Sequence, residues 1–262
     1  MVPAAKTSHQ SRSTGSDRPG SGTSFSESVA RLLDRMDCRR ADTGEEKERI
    51  SRLRYQAYLR EGAISPNHTR TFSDPYDETD NAFLFGLYID DQLASSIRIH
   101  VGSREHPDFP SLEVFADVLQ PELDAGKVIV DSTRFVADEK LARRYRGLPY
   151  ATVRLSWLAA EYFAADHLLA AVRAEHQAFY RRVFHHRLIC EPRPYPRLGK
   201  PICLMTAHCP TAAPDVHRRY PFFRSTFFER RMLFERSEPR LSTRSRGRFV
   251  PFVECEAPPL AG

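Results

Sequence analysis

Apolar positions recur at helical spacing through residues 45–60, where Ile50, Leu53, Ala57 and Tyr58 share one side and Glu46 and Lys47 the other. Gly62 ends that helix. Residues 82–89 and 93–101 are runs of β-formers joined through Asp90-Asp91-Gln92, which predicts an antiparallel hairpin, and residues 128–136 predict a further strand. Pro149 stands where a helix can begin. In residues 150–165, Val153, Trp157, Leu158, Tyr162 and Phe163 leave only a narrow stripe with Arg154 and Glu161, so that helix is expected to be buried nearly all round. A strand at 168–172, a helix at 175–184, a strand at 201–207 and a helix crowded with Phe and Arg at 222–234 follow. This order predicts an α/β chain of the α+β type, a mixed central sheet flanked by helices.

The ends read differently. Residues 7–26 are mostly Ser, Thr, Gly, Arg and Asp, with too little apolar surface to offset the entropy of ordering, so residues 1–26 are expected to be a disordered tail. Residues 236–262 form a basic tail whose Phe249-Val250-Pro251-Phe252-Val253 run either docks as an edge strand or hangs free. One domain over 27–235 remains, and a chain of 262 residues that is 41% hydrophobic can bury one substantial core. No stretch approaches the roughly 18 apolar residues of a membrane span. The first 24 residues lack the apolar centre of a secretory signal, so a cytoplasmic protein is expected. Cys38, Cys190, Cys203, Cys209 and Cys255 lack the short paired spacings of zinc or redox sites, and no metal is expected. A formal charge of +5 favours anionic partners without choosing among them.

Three places carry candidate chemistry. The strand at 128–136 is apolar at both ends but holds Asp131 and Arg134 at its centre, which read either as charges paired with other residues to fix the sheet or as site residues. Arg143-Arg144-Tyr145-Arg146-Gly147-Leu148-Pro149 sets arginines and a glycine at a helix start, a place to hold a phosphate or an ordinary basic loop. Tyr180, on the helix after the next strand, can protonate a leaving thiolate or fill the core. At the front, Arg54 and Tyr58 lie one turn apart, and Asp74 and Asp77 flank Tyr76.

From Arg52 to Leu204 the chain resembles the N-acyl amino acid synthases of the FeeM type, relatives of the acyl-homoserine lactone autoinducer synthases. The resemblance rests on Arg52-Leu53-Arg54-Tyr55-Gln56-Ala57-Tyr58, Phe72-Ser73-Asp74-Pro75-Tyr76-Asp77, Ser96-Ile97-Arg98, Asp131-Ser132-Thr133-Arg134-Phe135 and Glu175-His176-Gln177-Ala178-Phe179-Tyr180, in family order. It implies the GNAT acyltransferase fold and N-acyl transfer from a phosphopantetheine thioester to the amine of an amino acid, with no bound cofactor. By motif position it places Arg54, Asp74, Asp77, Arg98, Asp131 and Arg134 in a charged cluster on the acceptor side. Asp131 stands where the autoinducer synthases usually carry Glu. The resemblance implies that Asp131 takes the ammonium proton directly or through water, that backbone N–H groups near Phe135 and Val136 hold the oxyanion, and that Tyr180 protonates sulfur. Arg98 or Arg134 receives an acceptor carboxylate, or pairs with Asp74 and Asp77 instead.

The phosphate loop is matched by Arg144-Tyr145-Arg146-Gly147-Leu148-Pro149, with Pro149 in place of the final small residue, and Arg143 beside it. That change favours the single phosphate of an acyl-carrier-protein arm over coenzyme A. Phe83, Phe85, Trp157 and the 222–228 segment are the candidates to line an acyl groove. Two rivals stay open: a lactone synthase using S-adenosylmethionine, and a basic module binding nucleic acid through Arg218 to Arg231. No nucleic acid is expected on the preferred reading, since arginines inside strands serve phosphates poorly.

Overall fold

The computed structural model describes residues 24–195 and 198–236. Seven strands form one sheet in the order β1-β2-β3-β4-β5-β7-β6: β1 (Met36–Arg40), β2 (Ala82–Ile89), β3 (Gln92–Gly102), β4 (Ile129–Ala137), β5 (His167–Val172), β6 (Arg187–Tyr195) and β7 (Leu198–His208). Every neighbouring pair is antiparallel except β4 and β5. The sheet is mixed, as expected.

Side-chain alternation divides the core. Phe83 and Phe85 of β2 join Val130, Leu168 and the buried face of α5 (Leu148–Tyr162). Leu84 joins Ile50 of α2 (Gly44–Arg60) on the other side. β2 is buried at all eight positions because helices cover both faces, which is why its sequence reads as a continuous apolar run. The hairpin turn places Asp90 and Asp91 at φ +50° and +60°, the left-handed pair that a two-residue connection requires.

Each helix start has a local cause. Thr43 caps α2 by accepting from Glu46 N–H, while the Glu46 carboxylate accepts from the Thr43 N–H. Pro149 occupies the first turn of α5, where its missing N–H costs nothing, and the buried Thr152 hydroxyl reaches Leu148 O at 2.9 Å and Ser95 Oγ at 2.7 Å. The Phe- and Arg-rich segment is not one helix. It is a 3-10 turn over Pro221–Phe223 followed by α8 (Phe227–Phe234).

Several elements are not expected from the sequence pattern. α1 (Phe25–Leu33) begins inside the expected tail, with Ser24 and Glu27 forming its capping box. Residues 1–23 of that tail, and residues 237–262 of the other, lie outside the described residues. β1 is charged at three of five positions, as an edge strand tolerates, and β6 carries Pro192 and Pro194 at the opposite edge. α3 (Pro110–Asp124) is interrupted at Phe115 and contains Pro121, and α7 (Cys209–Arg219) contains Pro214. The short α4 (Glu139–Arg144) leads into α5, and α6 (Gln177–Phe184) follows a 3-10 turn. No helix among the described residues is long and apolar enough to cross a membrane.

Candidate active site

The centre of the sheet is interrupted twice at one place. On the β3 side, Ser96 pairs with Val136 but Arg98 pairs with Thr133, so β4 carries one extra residue; Arg134 and Phe135 have no partner in register, and Arg134 adopts φ +55°. Such a conformation costs a non-glycine residue about 1 to 3 kcal/mol and persists only where its surroundings hold it. On the β5 side, pairing stops at Ser132 and Ala170 although β4 continues to Ala137 and β5 to Val172. The two parallel strands therefore part. A cavity of about 570 Å³ fills the opening, lined by Ser132 to Ala137 on one side and Ala171, Val172 and Arg173 on the other. Phe179, Tyr180, Leu198 and Ile202 give it an apolar interior.

A second cavity, of about 360 Å³, is lined by Asp74, Tyr76, Asp108, Glu113 and their neighbours. Two residues line both cavities: Arg134 at the bulge and Tyr195 at the end of β6.

A buried charge network supports this junction. Arg134 donates to Oδ2 of Asp74 through Nε at 3.1 Å and Nη2 at 2.6 Å. Arg98, with no exposed surface, donates from Nη1 to Asp74 and, at 2.9 Å, to Asp77 Oδ1, while its Nε reaches Thr133 Oγ1 at 3.1 Å. Arg54 grips both oxygens of Asp77 from Nη1, at 2.9 and 2.8 Å; its Nε and Nη2 have no partner among the described residues. Burial alone would raise the pKa of Asp74 and Asp77, but the adjoining guanidiniums overcome it and hold both carboxyls below their ordinary range. His100, also buried, accepts or donates at Nε2 to Tyr76 O (3.0 Å) and Thr79 Oγ1 (3.1 Å), and desolvation together with Arg98 lowers its pKa to about 3.

Five of the six acceptor-side residues implied by the resemblance thus form one network. Asp131 stands apart. It has no exposed surface and lines neither cavity, and its two oxygens accept from the Ser111 N–H at 3.0 Å and the Ser111 hydroxyl at 2.8 Å. Burial pushes its pKa up, against those hydrogen bonds and Arg98. Its carboxylate ties the first turn of α3 to β4, away from the two cavities that Asp74 and Arg134 line.

The remaining expectations divide. Phe135, Val136 and Tyr180 line the larger cavity; Tyr180 packs on Phe179 and His186, and burial pushes its phenol pKa up. Arg143 and Arg144 are exposed at the end of α4, outside the cavity lining, which takes Ala142 and Pro149 from the same stretch. Gly147 faces α1 instead, and a Cβ there would stand 3.1 Å from Val29 Cγ2, so its smallness serves helix packing. Phe83, Phe85 and Trp157 belong to the core and Phe222 and Phe223 are buried, while Phe227 and Phe228 are 65% and 70% exposed. None of these lines the larger cavity, because they lie on the α5 side of the sheet or on its outer surface. Tyr195, Asp108 and Glu113 were missed. Tyr195 sits in Glu191-Pro192-Arg193-Pro194-Tyr195, where prolines erase any period.

The family model described as "N-acyl amino acid synthase FeeM" matches residues 49–208, which span the bulge, both cavities and the charge network. The chain belongs to the FeeM family. Among solved structures, FeeM itself, an N-acyl amino acid synthase from uncultured soil microbes, is 17% identical with a TM-score of 0.58, over 70% of this chain and 98% of that one. The AHL synthase LasI is 14% identical, with a TM-score of 0.49 over 65% of this chain and 89% of that one. An acyl-CoA N-acyltransferase from Pseudomonas aeruginosa is 20% identical, with a TM-score of 0.45 over 66% and 97%. Among curated proteins none matches. The fold is that of the GNAT acyltransferases, and this FeeM-family chain is an N-acyltransferase that moves an acyl group from a thioester donor to an amine.

Proposed function

We propose that the chain makes N-acyl amino acids, taking a fatty acyl group from an acyl carrier protein and placing it on the amine of an amino acid. The observation that carries this reading is the meeting of two unlike cavities at Arg134 and Tyr195. The apolar cavity suits an acyl chain and its pantetheine arm, which enters where β4 and β5 part and leave backbone groups of β4 without strand partners. The cavity rich in carboxylates suits an ammonium group.

In the reaction the neutral amine nitrogen attacks the thioester carbonyl carbon at this junction. The C–N bond forms, the C–S bond breaks, and the proton lost by nitrogen balances the one gained by the departing thiolate. Backbone N–H groups at Phe135 and Val136, next to the bulge, are proposed to hold the oxyanion. Tyr180 lines the donor cavity with its phenol held in the protonated form, and is proposed to hydrogen-bond the departing sulfur and pass it a proton. Asp131 acts through Ser111 as a positioning residue for the α3 wall of the acceptor cavity, whose Pro110 and Glu113 belong to the same helix.

Charge supports a carrier protein as donor. Arg60, Arg173 and Lys200 line the donor cavity, and the exposed Arg143, Arg144 and Arg146 stand on the segment beside it, a basic rim suited to an acidic carrier. Of the arginines in 218–231, Arg230 binds Glu161 at 3.1 Å and Arg231 binds Glu235 at 2.6 Å, so two of them are held in ion pairs within the fold. The test is a comparison of donors. With one acyl chain on either carrier, kcat/KM for acyl carrier protein is expected to exceed that for coenzyme A by about tenfold or more. Equal or reversed preference would remove the carrier protein from the account.

A further inference from the structure

The acceptor cavity has a charge imbalance that an ordinary amino acid does not fill. Among the described residues, Asp74, Asp108 and Glu113 face it against a single guanidinium, Arg134. Asp74 is neutralised by Arg98 and Arg134. Asp108 makes no ion pair among the described residues, and Glu113 only accepts from the Tyr76 hydroxyl, at 3.1 Å. Among the described residues, two carboxylates therefore line the cavity without an ion-pair partner.

The guanidiniums expected to receive an acceptor carboxylate are largely engaged, and Nη1 of Arg134 is the group among them that makes no hydrogen bond among the described residues. Arg134 spends Nε and Nη2 on Asp74, and Arg98 spends its donors on Asp74, Asp77 and Thr133. A second observation, independent of the carboxylates, also points to a ligand here. Tyr195 is only 9% exposed and lines this cavity, yet among the described residues its hydroxyl has no hydrogen-bond partner. A buried phenol usually finds a partner, and one that opens onto a cavity is positioned to bond what enters.

We infer that the acceptor is an amino acid with a cationic side chain, whose second positive charge rests between Asp108 and Glu113 while its reacting amine lies beside Tyr195 and Arg134. This rests on the acyl-transfer reading above and names the substrate class for it. The reaction is unchanged: the reacting amine replaces the thiolate on the acyl carbon and its proton leaves with sulfur, while the second ammonium keeps its charge throughout. A carboxylate-bearing side chain would meet Asp108 and Glu113 with like charge.

The test compares acceptors with one long-chain acyl carrier protein: lysine, ornithine, norleucine as a neutral shape match to lysine, glutamate, and 1,5-diaminopentane to ask whether the acceptor carboxylate is needed. Lysine and ornithine are expected to exceed norleucine in kcat/KM by about tenfold, with glutamate poorest. In the Asp108→Asn, Glu113→Gln double variant the lysine-to-norleucine ratio is expected to fall to about threefold or less. Both side chains are exposed, and a thermal melt confirms that the variant is folded. A wild-type ratio near one, or a double variant that keeps the full ratio, would overturn the inference while leaving acyl transfer intact. A diamine that outruns both amino acids would overturn the amino-acid part of it. Failure of every acceptor to yield an amide would overturn the acyl-transfer reading and this inference together.

Discussion

Arg134 holds one oxygen of Asp74 through two of its nitrogens, at 3.1 and 2.6 Å, from a backbone position at φ +55°. The ion pair and the bulge sustain each other: the strained residue stays because its side chain is fixed, and Asp74 stays ionised because two guanidiniums surround it. The wall between the two cavities therefore depends on one buried carboxylate.

Asp74→Asn leaves Arg98 and Arg134 buried without their shared anion, and it is expected to lower the unfolding free energy by about 3 to 5 kcal/mol in urea denaturation. The exposed helical pair Arg49 and Glu45, with side chains 56% and 75% accessible, makes the contrast, and Glu45→Gln is expected to leave the midpoint in place. Equal effects would mean that the buried network contributes no more than a surface pair.

Tyr180→Phe removes the phenol that lines the donor cavity while keeping its ring against Phe179 and His186. A loss of about a hundredfold in kcat with little change in KM is expected, as for removal of a positioned acid. Steady-state thiol release measures it, and an unchanged kcat would take Tyr180 out of the chemistry.

The larger cavity makes a steric prediction. Ala171 lines it where β5 leaves β4, and Ala171→Phe adds a ring to that opening. Donors with long acyl chains are expected to lose about tenfold in kcat/KM while short ones lose less. A uniform loss across chain lengths would place the acyl group elsewhere.

Buried histidines set the pH dependence of stability. Burial lowers the pKa of His100 and His186 to about 3, below the unfolded value, so unfolding takes up protons between about pH 3 and 6.5 and stability falls as pH drops through that window. Each contributes a slope of about 1.4 kcal/mol per pH unit. Asp74 and Asp77, with lowered folded pKa values, add to the loss below about pH 4. Asp131 opposes them, because its raised folded pKa lets the folded state bind a proton first. Thermal melts from pH 7 to pH 4 should decline from about pH 6.5 downward. A flat profile to pH 4.5 would contradict the buried neutral histidines.

The elements legible in the sequence are those whose apolar residues run along most of their length. The β2–β3 hairpin, β4, α5 and β5 each pack an extended apolar surface, and their residues say so. The edge strands β1 and β6, and the proline-bearing α3 and α7, owe their form to neighbours and escape that reading. The charged residues of the site were legible as motifs, but their division of labour was not. Asp131 and Arg134 sit three residues apart on one strand, and only the bulge between Ser96 and Arg98 pairings and the contact with Ser111 separate a cavity residue from a buried strut. Phe83, Phe85, Trp157 and the 222–228 segment stand out as groove candidates because large aromatics are conspicuous, whereas small side chains such as Ala57, Ala63 and Ala171 are what leave space in the larger cavity.

The most direct measurement is mass spectrometry of the products formed from long-chain acyl carrier protein and a mixture of nitrogen-15-labelled amino acids. The account predicts an amide that carries both the acyl chain and labelled nitrogen, with a basic amino acid as the dominant acceptor. Release of free fatty acid alone, or a lactone formed only when S-adenosylmethionine is added, would contradict it.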